Sequence, residues 1–238
     1  MKLEFLGVRN FFTKQDYHNN LLVDDHILID CGFSAARSLA ETGRSFADVD
    51  SIFITHTHAD HIGGLEECAF FNRYVNGGTR PRLFLPEALI PDLWKNSLSG
   101  GLANPGSGAP GIDAYFDIQP VLESFSTGGL NFEIIPTSHV PDKFCCGLMI
   151  DDKVYFSGDT QFAPETIQEY GNRAMAVFHE VEFAGGIVHA LRDDLVTVSE
   201  DIRQETWLMH YSDEVEQHLD KIKAAEFKLV ESHTPYPF

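Results

Sequence analysis

The stretch that decides the fold is Thr55-His56-Thr57-His58-Ala59-Asp60-His61. An apolar run over residues 51–54 precedes it and predicts a buried strand, while Gly63-Gly64 and a helical pattern over 65–71 follow it. The cluster therefore lies on a turn between the end of a strand and the start of a helix. On such a turn several side chains can point toward one position, which a regular strand or helix does not allow for near-consecutive residues.

The side chains of this cluster are typical metal ligands. Imidazole nitrogen and carboxylate oxygen both bind zinc and related divalent ions. Four such donors can serve two ions, with His56 and His58 on one and Asp60 and His61 on the other. The chain has 11 histidines in 238 residues, so three within six positions are not expected by chance. The sequence predicts a metal site here rather than a solvated polar loop.

Further polar residues stand at the ends of other predicted strands. Layered α/β folds build their sites in this way, on loops that a rigid sheet holds in place. His139 and His210 would be ordinary histidines on their own, but the cluster at 56–61 favours both as ligands. The strand-end residues are Asp30, His56, His139, Asp159, Glu180 and His210.

The pattern of the remaining chain predicts several helices and one long loop. Helices are expected over 35–42, with Ser34 as the N-cap, over 194–204 and over 214–225. Residues 97–111 are rich in Gly, Pro and Ser and predict a loop. A loop of this length is functional, mobile or interfacial, or else a surface excursion.

Composition limits the possible partners and the compartment. The 17 Lys and Arg against 36 Asp and Glu give a formal net charge of −19, and no basic cluster is present, so a nucleic-acid polymer is not an expected partner. No apolar stretch reaches the ~18 residues of a membrane span, so no membrane partner is expected. The four cysteines show no disulfide or CxxC spacing and are typical of reduced thiols in a cytoplasmic protein.

Five motifs in order along the whole chain resemble those of the metallo-β-lactamase fold. The resemblance implies an α/β protein with the αββα sandwich architecture and one hydrolase domain over residues 1–238. It also implies that the first motif supplies a buried carboxylate that supports the metal loop. The motifs are Asp30 in Ile29-Asp30-Cys31-Gly32, the HxHxDH cluster at 56–61, His139, Asp159 in Ser157-Gly158-Asp159-Thr160, and His210.

The same resemblance implies a site for two zinc ions, with Mn²⁺ or Fe²⁺ as substitutes. A bridging carboxylate and a bridging hydroxide give the two-metal arrangement that hydrolyses phosphate esters. The implied ligands are His56, His58 and His139 for one ion, Asp60, His61 and His210 for the other, and Asp159 as the bridge.

Within this fold, the chain is similar to the ribonuclease Z branch and its small phosphodiesterase relatives. That branch carries a Glu and a His as a proton-relay pair beside the metals, which implies this role for Glu180 and His189. Glu182 is a weaker candidate for the carboxylate, and Asp60 is a further catalytic candidate. An imidazole held by a carboxylate can protonate a leaving alkoxide.

One departure from the tRNA-processing enzymes bears on the substrate. Those enzymes carry a long basic arm before the bridging aspartate, whereas here His139 and Asp159 are 20 residues apart and joined by one predicted hairpin. The chain instead resembles compact cyclic-nucleotide phosphodiesterases, including phage-encoded enzymes of the anti-Pycsar type that destroy cyclic-nucleotide immune signals. Such relatives are typically homodimers, in which a loop such as 97–111 reaches toward the partner's site.

The leading prediction is a dizinc phosphodiesterase that opens a small cyclic nucleotide by attack of a metal-bridging hydroxide. The alternatives are an RNA 3′-end endonuclease, for which a basic track is missing, and a lactone or thioester hydrolase. A diiron redox protein would usually carry Glu where this chain has His58. The aromatic residues considered for stacking on a base are Phe11, Phe12, Tyr17, Phe162 and Phe183.

Overall fold

Two seven-stranded β-sheets form the centre of the protein. The computed structural model describes residues 1–238, apart from the side chain of Ser107. The strands of the first sheet are Lys2–Gly7 (β1), Asn20–Val23 (β2), Ile27–Ile29 (β3), Ser51–Phe53 (β4), Arg82–Pro86 (β5) and Asp117–Val121 (β6). The second sheet contains Ser124–Thr127 (β7), Leu130–Thr137 (β8), Cys145–Ile150 (β9), Val154–Phe156 (β10), Ala176–Glu180 (β11), Thr206–Met209 (β12) and Lys228–Leu229 (β13), and the C-terminal strand Pro235–Pro237 (β14) joins the first sheet.

Each sheet combines an antiparallel half with a parallel half. The first sheet has the order β14-β1-β2-β3-β4-β5-β6 and is parallel from β3 to β6. The second has the order β13-β12-β11-β10-β9-β8-β7 and is parallel from β10 to β13. Parallel neighbours end at the same edge of a sheet, so the polar residues that follow β3, β4, β10, β11 and β12 are brought together.

Helices cover the sheets. The α-helices are Ala35–Glu41 (α1), Ala59–Ile62 (α2), Leu65–Phe70 (α3), Ser99–Leu102 (α4), Pro164–Arg173 (α5), Arg192–Leu195 (α6), Glu200–Gln204 (α7) and Leu219–Ala224 (α8). Wider, π-helical turns cover Phe71–Val75 and Asp92–Leu98, and short 3₁₀ helices cover Phe46–Asp48, Glu87–Leu89, Pro105–Ser107, Ile112–Ala114 and Asp213–Gln217. Among the described residues, no helix is both long and apolar enough to cross a membrane.

The core follows from the alternation of side chains along each strand. On β4, Phe53 belongs to the cluster between the sheets, while Ile52 belongs to a second cluster beneath α1 and α3. On β11, Phe178 packs on Phe5 of the opposite sheet with ring centroids 5.1 Å apart. His179 therefore points to the other face of the second sheet. Both faces of each sheet are buried, which is the layered arrangement that the sequence predicts.

The predicted loop over residues 97–111 is wrong in its first part. Residues 92–102 are helical, and the stretch is tied down by Leu102 and Ala109, which are fully buried in the cluster beneath α1 and α3. Burial of these side chains outweighs the weak helix propensity of Gly100 and Gly101.

Three helix predictions also differ from the structure. The helix expected over 214–225 is a 3₁₀ helix over Asp213–Gln217 followed by α8. The expected helix over 194–204 is two helices, because the β-branched run 196–198 interrupts it and Thr197 Oγ1 donates to the Asp194 carbonyl. Ser34 precedes α1 but makes no side-chain cap. Its hydroxyl instead accepts a hydrogen bond from the backbone N–H of His18 at 2.9 Å.

Candidate metal centre

Asp30 fixes both ends of the histidine-rich turn. Its carboxylate is fully buried after β3 and has a left-handed φ of 63°. Oδ1 accepts from the Thr55 backbone N–H at 2.8 Å, and Oδ2 accepts from the Thr55 hydroxyl at 2.8 Å. Oδ2 also accepts from His61 Nδ1 at 2.7 Å. The turn is thereby held at its first and last residues, as the sequence motif implies.

Hydrogen bonds at Nδ1 orient three of the imidazoles. Besides the bond from His61 to Asp30, His56 Nδ1 lies 3.1 Å from the Thr55 hydroxyl, and His139 Nδ1 lies 2.7 Å from the Val188 carbonyl oxygen. A partner at Nδ1 fixes the tautomer that leaves Nε2 as a metal-binding lone pair. The Nε2 atoms of His56 and His61 are buried, and the described residues offer them no hydrogen-bond partner.

Asp159 lies at the centre of the imidazoles. It follows Gly158 on the turn after β10, and its Oδ1 is buried without a hydrogen-bond partner among the described residues. Its Oδ2 faces four Nε2 atoms, at 3.8 Å from His56, 3.5 Å from His61, 3.7 Å from His139 and 3.4 Å from His210.

All seven predicted ligands come together. Their donor atoms fall into groups within 4.8 Å, one made of His56, His58, His139 and Asp159 and the other of Asp60, His61 and His210. Asp60 Oδ2 lies 3.3 Å from the Nε2 atoms of both His61 and His210. Donors of this kind, several of them buried without partners, fit a divalent metal site.

The charges of the cluster suit cation binding. Burial alone would raise the pKa values of Asp60 and Asp159, but the imidazoles of His61 and His210 hold both carboxyl pKa values well below their usual range. Burial lowers the pKa of His56 and of His139. Burial alone would lower the pKa of His61 and of His210, but the carboxylates of Asp60 and Asp159 raise both. Ionised carboxylates and neutral imidazoles are the forms that bind metals, so metal binding would release the protons of these two rings.

Glu180 and His189 form a hydrogen-bonded pair beside the ligands. Glu180 is fully buried at the end of β11, and its Oε1 lies 3.0 Å from His189 Nδ1 and accepts from the Thr160 N–H at 2.8 Å. Burial alone would lower the pKa of His189, but the hydrogen bond and charge of Glu180 raise it to about 9. The described residues show no hydrogen bond between Glu182 and His189. The structure thus pairs His189 with Glu180.

His189 also approaches the ligands themselves. Its ring centroid is 4.7 Å from that of His139 and 5.3 Å from that of His210. Its donor atom lies within 4.8 Å of those of Asp159 and His210, so these three residues form a third group of donors. The His189 side chain is 23% exposed and lines the cavity described next, whereas the Nε2 atoms of His56 and His61 are buried.

A cavity of about 420 Å³ opens onto this cluster. Two exposed aromatic rings form part of its wall, Phe11 at 41% and Phe12 at 77% exposure. Phe183 lies elsewhere, stacked on His218 with ring centroids 4.3 Å apart. The complete lining is Asn10, Phe11, Phe12, His58, Asp60, Asp159, Glu182, Val188, His189 and His210.

Sequence reasoning did not single out several groups that complete the site. The Val188 carbonyl and the Thr160 N–H are backbone groups, so their role cannot be recognised from the type of residue. The sequence could have indicated the role of Thr55, since this hydroxyl residue directly precedes the first histidine of the cluster. No sequence pattern indicates a role for Asn10, because it lies far from every motif in the sequence.

The two sheets, the helices on their faces and the cluster of histidine and aspartate side chains at their shared edge define a metallo-β-lactamase-fold protein, which confirms the predicted fold class. The metallo-β-lactamase fold protein YhfI from Bacillus subtilis superimposes with a TM-score of 0.75 at 17% identity, covering 99% of this chain and 98% of that one. A diphosphatase from the PhnP family gives a TM-score of 0.76 at 18% identity, covering 100% and 97%.

Comparison of sequences gives the family. The family described as anti-Pycsar protein Apyc1 matches residues 1–236. The anti-Pycsar protein Apyc1 of Bacillus phage 010DV004 is 39% identical over 248 aligned positions, which cover 96% of each chain. The chain belongs to the anti-Pycsar Apyc1 family, which confirms the resemblance inferred from its motifs.

Proposed function

We propose that the protein is a two-metal phosphodiesterase that hydrolyses a small cyclic nucleotide. The observation that carries the proposal is the set of seven donors around Asp159, with an imidazole–carboxylate pair and an open cavity beside it. The name of the family, anti-Pycsar protein, agrees with the cyclic-nucleotide chemistry that the sequence motifs imply. The PhnP-family neighbour, described as a diphosphatase, shares the fold.

His56, His58 and His139 would hold one divalent ion and Asp60, His61 and His210 a second, with Asp159 available to either. Bound divalent ions, Zn²⁺ by preference, supply an activated water and neutralise charge on the phosphoryl oxygens.

In this proposal, side chains of the protein donate the proton that the leaving oxygen takes up. Burial lowers the pKa of His189, but Glu180 raises it to about 9, which favours the protonated imidazole, and the side chain lines the cavity. Glu180 holds Nδ1, so the other ring nitrogen is the one available to a substrate. We assign His189 as the general acid that protonates the departing ribose oxygen and Glu180 as its positioning partner.

The cavity wall suits a nucleoside. Phe11 and Phe12 contact each other edge to face, with ring centroids 5.2 Å apart, and the Phe12 ring has a large exposed area. An exposed aromatic face can stack on a base of any type, which contributes about 1–3 kcal/mol per base. Tyr17 does not line this cavity but a separate cleft with Arg37 and Glu41.

An RNA 3′-end endonuclease is the less favoured function. Residues 140–158 form only the loop after β8 and the β9–β10 hairpin, so they provide no basic arm. The homodimer that the resemblance implies, with residues 97–111 near the partner's site, stays a prediction for sedimentation analysis.

A substrate panel tests the proposal. Protein with its metal content measured by mass spectrometry is assayed with 3′,5′-cyclic mononucleotides, a cyclic dinucleotide, an RNA precursor with a 3′ trailer, a lactone and a thioester. We expect two ions per chain and fastest turnover of a cyclic mononucleotide. Turnover of only the lactone or thioester would reject a phosphodiesterase, and metal content near zero after metal-supplemented expression would reject the metal site.

A further inference from the structure

Part of the cavity wall comes from residues outside the seven candidate ligands and the Glu180–His189 pair. Backbone hydrogen bonds hold these residues against the ligand loops. The Asn10 N–H donates to the Tyr211 carbonyl, directly after the ligand His210, at 3.1 Å. The Glu182 N–H donates to the Ala190 carbonyl, directly after His189, at 2.8 Å. The distance of both side chains from the metal cluster is therefore set by the same backbone that positions the ligands.

Glu182 presents an acceptor to the cavity. Its Oε1 accepts from the Phe183 N–H at 3.0 Å, and within the described residues Oε2 has no hydrogen-bond partner and the carboxylate has no ion pair. The described lining contains no Lys or Arg. A carboxylate only accepts hydrogen bonds, so the substrate group that faces it has to be a donor. A second negative charge at that position would be repelled.

Asn10 presents the opposite polarity. Its Oδ1 accepts from the Phe12 N–H at 3.1 Å, which orients the amide and leaves Nδ2 as the free donor. The wall thus offers one acceptor, one donor and the exposed ring of Phe12, in addition to the metal ligands. This pattern matches a nucleoside with a free hydroxyl more closely than it matches a second phosphate.

We infer that Glu182 selects the substrate, favouring a nucleotide with a single phosphodiester and a hydroxyl donor and disfavouring one with a second phosphate. The 2′-hydroxyl of a 3′,5′-cyclic ribonucleotide is such a donor, since the cyclic phosphate occupies the other two oxygens. The inference rests on the proposed function and specifies its substrate class. A hydrogen bond to a charged group is worth about tenfold or more in selectivity.

Relative kcat/KM values test the inference. The substrates are a 3′,5′-cyclic ribonucleotide, its 2′-deoxy counterpart and a cyclic dinucleotide. We expect the unaltered protein to prefer the ribonucleotide over the 2′-deoxy compound by about tenfold. Glu182→Gln keeps an oxygen for the Phe183 N–H and removes the charge, so the preference should fall several-fold while relative turnover of the dinucleotide rises. Glu182→Ala should abolish the preference.

Glu123→Gln is the matched control, because Glu123 is exposed, lies outside the cavity lining and changes the net charge equally. All its ratios should equal those of the unaltered protein. Equal rates for the ribo and 2′-deoxy substrates, or ratios unmoved by Glu182→Gln, would overturn the inference while leaving the proposed function intact. If the Glu182 variants do not fold, the test rests on the unaltered protein, and on its ratio of kcat/KM for the ribonucleotide to kcat/KM for the 2′-deoxy compound. No turnover of any cyclic nucleotide by metal-loaded protein would reject the proposed function and the inference with it.

Discussion

His189 is where the relay and ligand roles can be separated by one substitution. His189→Gln removes the acid but none of the seven predicted ligands, so the protein should keep its metal while kcat falls by ~10²–10⁴, the usual contribution of a general acid. Metal analysis by mass spectrometry and turnover of a cyclic nucleotide measure the two effects.

Asp159→Asn is the comparison for that experiment. Asp159 Oδ2 faces imidazoles of both groups, so this variant should lose metal and activity together. Loss of metal from His189→Gln would show instead that His189 is a ligand, in line with its proximity to Asp159 and His210.

We expect His179 to make the fold sensitive to acid. It is buried on the helix-facing side of β11 with Nε2 unpartnered in the described structure, and burial lowers its pKa to about 4. The unfolded value is about 6.5, so the unfolded chain binds the proton more tightly. Neutral His179 therefore makes its full contribution to the free energy of unfolding above about pH 6.5. This contribution is lost as the pH falls toward 4, and the loss is about 2 kcal/mol at pH 5.

Urea unfolding of His179→Asn tests this sensitivity. Asparagine does not titrate, and its amide can replace the 2.7 Å hydrogen bond from Nδ1 to the Glu180 carbonyl. Between pH 7 and pH 5, the free energy of unfolding of the unaltered protein should fall by about 2 kcal/mol more than that of the variant. Any pH-dependent loss of metal is common to both proteins and cancels. Parallel pH profiles would contradict the assignment.

At the scale of elements, the β9–β10 hairpin carries Asp159 to the centre of the cluster. Gly158 has a φ of 58°, and a Cβ there would lie 2.4 Å from the Cys146 carbonyl oxygen on β9. Gly158→Ala should lower the free energy of unfolding by more than the ~1–2 kcal/mol that an alanine in the left-handed conformation costs, because β9 must also move to make room for the Cβ. The displacement should reduce metal content.

Gly129 in the β7–β8 turn is the control for this variant. It also has a positive φ, of 80°, but a Cβ there would have no neighbour within 4 Å, so Gly129→Ala carries the backbone strain alone. Urea unfolding and metal analysis of both variants separate strain from displacement. Equal effects of the two substitutions on metal content would mean that the close approach of Gly158 to β9 does not position Asp159.

At the scale of the whole molecule, we expect the net charge to limit which phosphodiester can approach the site. The formal net charge is −19, and two divalent ions would offset only four of those charges. A polyanion meets this field across the surface, whereas a cyclic mononucleotide fits within the ~8 Å Debye length of the metal cluster. We expect kcat/KM for the cyclic nucleotide to exceed that for an RNA precursor by at least about tenfold, ~1.4 kcal/mol.

Both substrates must be measured at one salt concentration, and then again at higher salt. Added salt screens the repulsion between the protein and the RNA, so the ratio of the two kcat/KM values should fall as ionic strength rises. Efficient trimming of the RNA precursor with cyclic nucleotides untouched would assign this chain to the nuclease branch instead.

The sequence by itself determined the fold class, the family resemblance and the candidate ligands. The cluster at 56–61 places four donors on one turn, so their convergence depends on local geometry and is visible in the residue order. Asp30, His139, Asp159 and His210 follow predicted strands, and parallel strands of a layered sheet end at a common edge. The residue order indicates these positions, and the resemblance to the metallo-β-lactamase fold assigns them to one set of ligands.

Only the tertiary structure decided how the rest of the site is built. Glu180 and Glu182 are two residues apart at the end of the same strand, and packing alone shows that Glu180 contacts His189. Which aromatic rings face the cavity depends on how the segment at 9–16 docks on the His210 loop, because side-chain direction there follows contacts between segments distant in sequence. The helix over 99–102 formed despite its glycines, since Leu102 is buried by the fold and the free energy of that burial exceeds local propensity.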